Sequence, residues 1–146
     1  MDTDALAEML QRDRAEWQQL VTLLDAQAET PVHGPGSPDW NARDVYTHFA
    51  RWFGHSTDDF EATLAGRGRP QLEGTDDEIN ARWQQEDATL SFDDARRLAQ
   101  RAFDRRLEVL QSTPADRWNP LLDAIAHADG HAHMAAHRRY IKSSGA

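Results

Sequence analysis

The sequence predicts an all-α protein: a four-helix bundle with a short extra helix between its second and third long helices. Apolar residues recur three and four positions apart over four long segments, which is the period of an amphipathic helix. Helix-capping residues precede these segments, and Pro and Gly cluster between them, as helix boundaries require. No segment has the alternating, β-branched pattern of a strand. We therefore expect residues 1–146 to form a single bundle domain.

Composition and charge exclude several classes of partner. The formal charge of -9 gives no general attraction for nucleic-acid phosphates or anionic lipid. No apolar run approaches the roughly 18 residues of a membrane helix, and the acidic N-terminus lacks a signal pattern. The absence of cysteine excludes disulfides and thiol chemistry by the protein itself. We expect a cytoplasmic protein that binds neither nucleic acid nor membrane; the arginine-rich composition is typical of a GC-rich genome.

The first helix is predicted over residues 4–28, capped by Asp2 or Thr3. Its apolar face contains Leu6, Leu10, Trp17, Leu20 and Leu24, and its solvated face Arg12, Glu16 and Gln19. Pro and Gly predict a loop over residues 30–40, with an exposed His33.

The second helix begins after Asn41, which with Asp44 forms a capping box. Its apolar stripe is Val45, Phe49, Trp52, Phe53 and Phe60, and one edge of that stripe carries His48, His55 and Asp59. Residues 65–74 form a flexible crossing segment, long enough for a crossover. Thr75 and Glu78 form a second capping box, which predicts a short helix to about Gln85 that carries Asn80 and Trp83.

Ser91 caps the third long helix, which is predicted to end near Gln111. Its charged residues are expected to form a solvated face: Arg96, Arg97, Arg101, Asp104, Arg105 and Glu108. Asn119 followed by Pro120 is a strong start signal for the fourth helix, which we expect to continue unbroken to about Lys142. Its predicted apolar face is Leu121, Leu122, Ile125, Ala128, Ala132, Ala136 and Tyr140.

Histidines provide the candidate site. His133 and His137 are four residues apart on the flank of the fourth helix's apolar face, whereas His127 and His131 fall nearly opposite and are expected to be exposed. Two imidazoles one turn apart can bind one ion at about 2.0–2.1 Å. A third from the second helix, His48, would complete an open three-nitrogen site. The alternative is a polar, water-filled groove, since seven histidines produce such pairs by chance.

Two carboxylates and one glycine accompany these histidines. Asp129 and Asp44 each precede a candidate ligand by one turn; each would either orient its imidazole or form an ordinary helical pair. Gly130 weakens a helix by about 1 kcal/mol relative to Ala, and one interpretation is that it allows another group to approach closely.

Three segments carry a resemblance to a known family. DWNARDVYTHFARW resembles the second-helix signature of the DinB-like four-helix bundles, and AHMAAHRRYI resembles their fourth-helix pattern. EGTDDEINARW is similar to the middle of the sequences in one subgroup of this family. That subgroup includes ClbS/DfsB-type proteins and the mycothiol-dependent maleylpyruvate isomerase metal-binding domain. The resemblance covers residues 17–141, with the motifs in the family's order.

The resemblance implies a divalent metal, zinc or nickel, bound by His48, His133 and His137. Because the family includes thiol-dependent transferases and isomerases, it implies thiol transfer or isomerisation of a small molecule, with a low-molecular-weight thiol such as mycothiol as co-substrate. Two alternatives remain open: a resistance-type hydrolase that uses metal hydroxide on an electrophile, and a non-catalytic stress or binding bundle that forms a homodimer. No catalytic residue is predicted; candidates for the surrounding pocket are His55, Asp59, Asn80, Trp83 and Tyr140.

Overall fold

The computed structural model describes residues 1–27 and 40–141. These residues form an all-helical bundle, as predicted, with six α-helices and one 3-10 turn at Ala115–Arg117. The helices are α1 (Thr3–Asp25), α2 (Ala42–Leu64), α3 (Asp76–Glu86), α4 (Phe92–Ser112), α5 (Pro120–Ala128) and α6 (His131–Tyr140). α1 and α6 end three and two residues before the predicted ends at Ala28 and Lys142. Those two residues and the predicted loop with His33 lie outside the described residues. None of these helices is both long and apolar enough to cross a membrane.

Local capping chemistry explains where the helices begin. Asn41 and Thr75 each take part in a complete capping box, at the starts of α2 and α3. Ser91 and Asn119 accept backbone N–H groups at the starts of α4 and α5. At α1 the cap is Asp2 rather than Thr3. Because each cap satisfies donors that the first helical turn leaves free, these starts depend only on neighbouring residues.

Trp17 joins three helices at the centre of the core. Its ring stacks on Phe103 of α4 at a centroid distance of 5.1 Å. It also makes edge contacts with three aromatic rings of α2: Tyr46, Phe49 and Phe53. The indole N–H donates to Gln100 at 2.9 Å, so the buried polar atom is satisfied. Aromatic pairs of this kind contribute about 0.5–1.5 kcal/mol each beyond their buried area.

The contacts between helices show that α2 and α4 run in the same direction. Tyr46 meets Phe92 near the start of both helices, and Phe53 meets Phe103 further along. α1 runs the opposite way, because the Tyr46 hydroxyl at the start of α2 donates to Asp25 at the end of α1. The connection at residues 65–91, which contains α3, therefore makes a crossover, and the bundle does not alternate in direction from each long helix to the next.

The prediction of one unbroken fourth helix is wrong. α5 ends at Ala128, and α6 begins at His131 after a break at Asp129 and Gly130. A Cβ on Gly130 would lie 3.1 Å from Arg106 Nη2 and 3.2 Å from Asp13 Oδ1. Side chains of α4 and α1 thus occupy the space that a continuous helix with side chains would need.

The break also changes which residues of this region reach the core. The prediction placed Ala132 and Tyr140 on the apolar face because it continued the rotational phase of α5 through α6. Both residues are exposed. Met134 is fully buried instead, and His137 is buried one turn after it. Leu121, also on the predicted face, is exposed. A helix that restarts after a break has a new rotational phase, so a single helical wheel cannot describe both halves.

Candidate metal centre

The structure brings His48, His133 and His137 together. His48 lies on α2, and the other two lie one turn apart on α6. Each contributes one ring nitrogen, and these nitrogens all lie within 4.8 Å of one another. His48 Nε2 and His133 Nε2 are 3.4 Å apart. The spacing of four residues places both α6 imidazoles on one side of that helix, where they face α2.

The donor set and its spacing fit a divalent metal ion. Two nitrogens bound to a tetrahedral ion at about 2.05 Å lie roughly 3.3 Å from each other, and the observed 3.4 Å is close to that value. Three imidazoles form a donor set that zinc and nickel both accept. The group therefore could hold such an ion, and the sequence-based ligand set is geometrically suitable.

Burial keeps two of these imidazoles neutral. It lowers the pKa of His48 well below 6.5, with smaller effects in the same direction from His137 and His133, while a hydrogen bond with Asn80 acts in the opposite direction. Burial also lowers the pKa of His137 to about 3, and neighbouring His133 adds to the shift. A neutral imidazole has the free lone pair that a metal requires, so few protons compete for these nitrogens at neutral pH.

Aromatic rings surround the imidazoles. The Phe49 ring is fully buried, and its centroid lies 5.0 Å from those of both His133 and His137. The Trp40 ring lies 5.0 Å from His48 on another side. Such apolar walls limit water and lower the local dielectric, which strengthens electrostatic interactions within the site.

The Asp129 carboxylate lies beside His133. Its Oδ1 lies 3.1 Å from His133 Nδ1, although the angle is not that of a hydrogen bond and the buried nitrogen has no other partner among the described residues. A carboxylate at this nitrogen can orient the imidazole of a ligand and leave its Nε2 free to bind a metal. Asp44 does not take the equivalent place beside His48, because its carboxylate completes the α2 cap and binds Arg43 at 2.8 Å.

An open cleft of about 470 Å³ leads to the triad. The start of α3 forms one wall with Asp76, Asp77 and Asn80, and the end of α5 and α6 form another. Trp52 Nε1 donates to Asn80 Oδ1 at 2.8 Å, which fixes this amide at the cleft wall. The short helix between the long ones therefore helps to form the cleft, a role that its sequence alone does not demand.

The other predicted pocket residues have different positions. Trp83 lines a small cavity behind His48. His55 and Asp59 line a second cleft of about 390 Å³, which shares Trp52, Asp76, Ala128 and Asp129 with the first. Arg69 binds Asp59 at 2.7 Å. Tyr140 is 54% exposed and is not among the residues that line the cleft.

The remaining histidines of this region behave differently from each other. His127 is exposed, as predicted, and its Nδ1 lies 2.8 Å from the Asp123 carbonyl oxygen one turn earlier. His131 is half-buried, and its Nδ1 lies 2.8 Å from the fully buried Asp13 Oδ1. The prediction that His131 is exposed is therefore wrong.

The sequence-based interpretation missed the two charged residues nearest the helix break. Asp13 falls among the apolar positions Met9, Leu10, Trp17 and Leu20 on α1, and Arg106 falls between Phe103 and Leu110 on α4. A charged residue within an apolar stripe is the signal that identifies such a buried pair. Glu16 was likewise placed on a solvated face, but it is buried and binds Arg138.

Comparison with known proteins gave no family model, no curated protein and no solved structure that matches the chain. The functional argument therefore depends on the triad, its surroundings and the sequence motifs.

Proposed function

We propose that the protein is a divalent-metal-binding member of the DinB-like bundles that acts on a small molecule by thiol transfer or isomerisation. His48, His133 and His137 would bind the ion, zinc or nickel. The observation that carries the proposal is the convergence of three ring nitrogens, within 4.8 Å of one another, beside an open cleft.

Two features support the family assignment. The three histidines lie in the two segments that resemble the family's second and fourth helices. In addition, α3 begins within the third segment that carries the resemblance. Membership, the thiol mycothiol and a homodimer stay predictions.

Coordination chemistry favours a catalytic over a structural ion. Structural zinc sites have four protein ligands, whereas catalytic sites have three and one open position. Among the described residues, the ligand group here contains three members. A divalent ion bound there would supply Lewis acidity that lowers the pKa of a thiol or a water molecule in the cleft.

The chain's own residues would contribute orientation and exclusion of water. Phe49 and Trp40 cover the imidazoles, and Asp129 lies where it can hold the His133 ring in the required tautomer. Asn80, fixed by Trp52, limits how a substrate can approach from α3. The cleft is large enough for a small molecule and its co-substrate.

The experiment is a substrate panel on zinc-loaded and nickel-loaded protein, with N-acetylcysteine as the added thiol. Electrophiles, epoxides and cis–trans isomerisable acids are each incubated with and without the thiol. We expect turnover that requires metal and thiol and that His48→Ala removes; the exposed His127→Ala serves as the control with activity retained. Turnover without thiol would favour the hydrolytic alternative over thiol transfer. Metal-free folded protein without activity, and with a stable dimer by light scattering, would refute the proposal in favour of a binding bundle.

A further inference from the structure

Two buried, oppositely charged residues fill the break between α5 and α6. Asp13 of α1 is 0% exposed and Arg106 of α4 is 3% exposed. Arg106 Nη2 lies 3.1 Å from Asp13 Oδ2 as an ion pair. Burying charge in this way is costly unless each group has partners, so the contacts that these groups make indicate what the pair does.

Each residue of the pair satisfies one of the two helix ends at the break. Asp13 Oδ1 accepts the backbone N–H of His131, the first residue of α6, at 2.8 Å. Arg106 donates to the carbonyl oxygen of Ala126 near the end of α5. Gly130 stands at the cap position of α6 and has no side chain to cap it. Asp13 therefore does from α1 what a local Ser or Asp does at other helix starts, and its negative charge suits the α6 N-terminus.

The same break lies directly before the proposed metal ligands. His133 is in the first turn of α6, two residues after the N–H that Asp13 holds. At the other end of α6, Arg138 binds Glu16 at 2.7 Å, and Glu16 is again on α1. α1 thus anchors α6 on both sides of the two ligand histidines. Burial lowers the pKa of Arg106, whereas the nearby carboxylates of Asp13 and Asp129 raise it.

We propose that Asp13, held by Arg106, is the positioning residue of the metal centre: it fixes the start of α6 and so the distance of His133 and His137 from His48. This inference rests on the proposed metal site. A pair that only stabilises the fold would change unfolding without changing coordination.

The test compares Asp13→Asn with a control that loses stability elsewhere. Asn keeps the size and one acceptor oxygen but leaves Arg106 without its counter-charge. Phe60→Leu alters a buried α2 ring that is 12 residues, or about 18 Å, from His48 along the helix. Cobalt(II) is titrated into each metal-free protein under conditions where circular dichroism shows it folded, and affinity and visible spectrum are recorded.

We expect Asp13→Asn to weaken cobalt binding by roughly 10–100-fold, as changes beside metal ligands do, and to alter the spectrum. Phe60→Leu should retain wild-type affinity and spectrum. If Asp13→Asn does not fold, Gly130→Ala replaces it, because its Cβ would push on both anchors. Wild-type affinity and spectrum in the folded variant would overturn the inference while leaving the metal site intact.

Failure of the proposed function would look different, because the wild type itself would then bind no cobalt. In that case histidine side-chain NMR of the metal-free proteins decides whether Asp13 positions the imidazoles. Changed ring signals of His48 and His133 in Asp13→Asn, but not in Phe60→Leu, would support positioning. Unchanged ring signals would overturn it.

Discussion

Gly130 and Gly54 provide a matched pair for testing why the fourth helix is broken. Neither glycine has a positive φ, because positive φ among the described glycines occurs at Gly66 and Gly74. At Gly54, within α2, an added Cβ meets nothing within 4 Å. At Gly130 it meets Arg106 Nη2 at 3.1 Å and Asp13 Oδ1 at 3.2 Å. The same substitution therefore has opposite expected signs at the two positions.

The expected magnitudes follow from these surroundings. Gly54→Ala should raise the free energy of unfolding by about 0.5–1 kcal/mol, because Ala loses less conformational entropy in a helix interior. Gly130→Ala gains about 0.4–1 kcal/mol from the unfolded chain but costs about 1–3 kcal/mol in overpacking. The neighbouring atoms belong to a buried ion pair and cannot move without loosening the helix ends. We expect a net loss of about 1–2 kcal/mol by these terms.

Urea unfolding monitored by circular dichroism measures both variants against the wild type. The difference in unfolding free energy between the two variants should be about 1.5–3 kcal/mol, taking the two estimates together. A Gly130→Ala protein as stable as Gly54→Ala would refute the idea that close contact with Asp13 and Arg106 requires the glycine.

Three further predictions concern charge and metal. The Arg69 hydrogen bond lowers the pKa of Asp59. This pair therefore stabilises the fold above the unfolded pKa of about 3.9 and loses that effect as pH falls through the folded-state pKa. The free energy of unfolding in urea should differ less between pH 6 and pH 3 in Asp59→Asn than in the wild type. Arg106→Gln should lower the free energy of unfolding by about 3–5 kcal/mol, because the Asp13 carboxylate would remain buried without the guanidinium as its counter-charge; a loss below 1 kcal/mol would contradict this by the same reasoning. Zinc at 100 times its dissociation constant should stabilise the protein by about 2.7 kcal/mol, and a chelator should reverse the accompanying rise in thermal midpoint.

The helix starts could be predicted because their causes are local. Asn41, Thr75, Ser91 and Asn119 each bind a backbone N–H three residues later, and that spacing is visible in the sequence. The candidate ligand pair was predictable for the same reason. His133 and His137 both belong to α6, so the break before them leaves their four-residue spacing unchanged.

The break itself has a distant cause. Asp13 binds the backbone of His131 across 118 residues of sequence, and Arg106 binds Ala126 from another helix. Gly130 alone could not show which side chains approach it. For the same reason the predictions of the rotational phase of α6 and of an exposed His131 were wrong. Both properties follow from the anchor on α1, not from residues within the helix.

Zinc titration by isothermal calorimetry, on the wild type beside His48→Ala, tests the central claim most directly. His48 lies on α2 and its partners lie on α6, so its loss separates an inter-helix site from a pair on one helix. The account predicts about one equivalent of zinc for the wild type and a large loss of affinity in His48→Ala, with circular dichroism unchanged. No binding by the wild type, or equal binding by the variant, would contradict it.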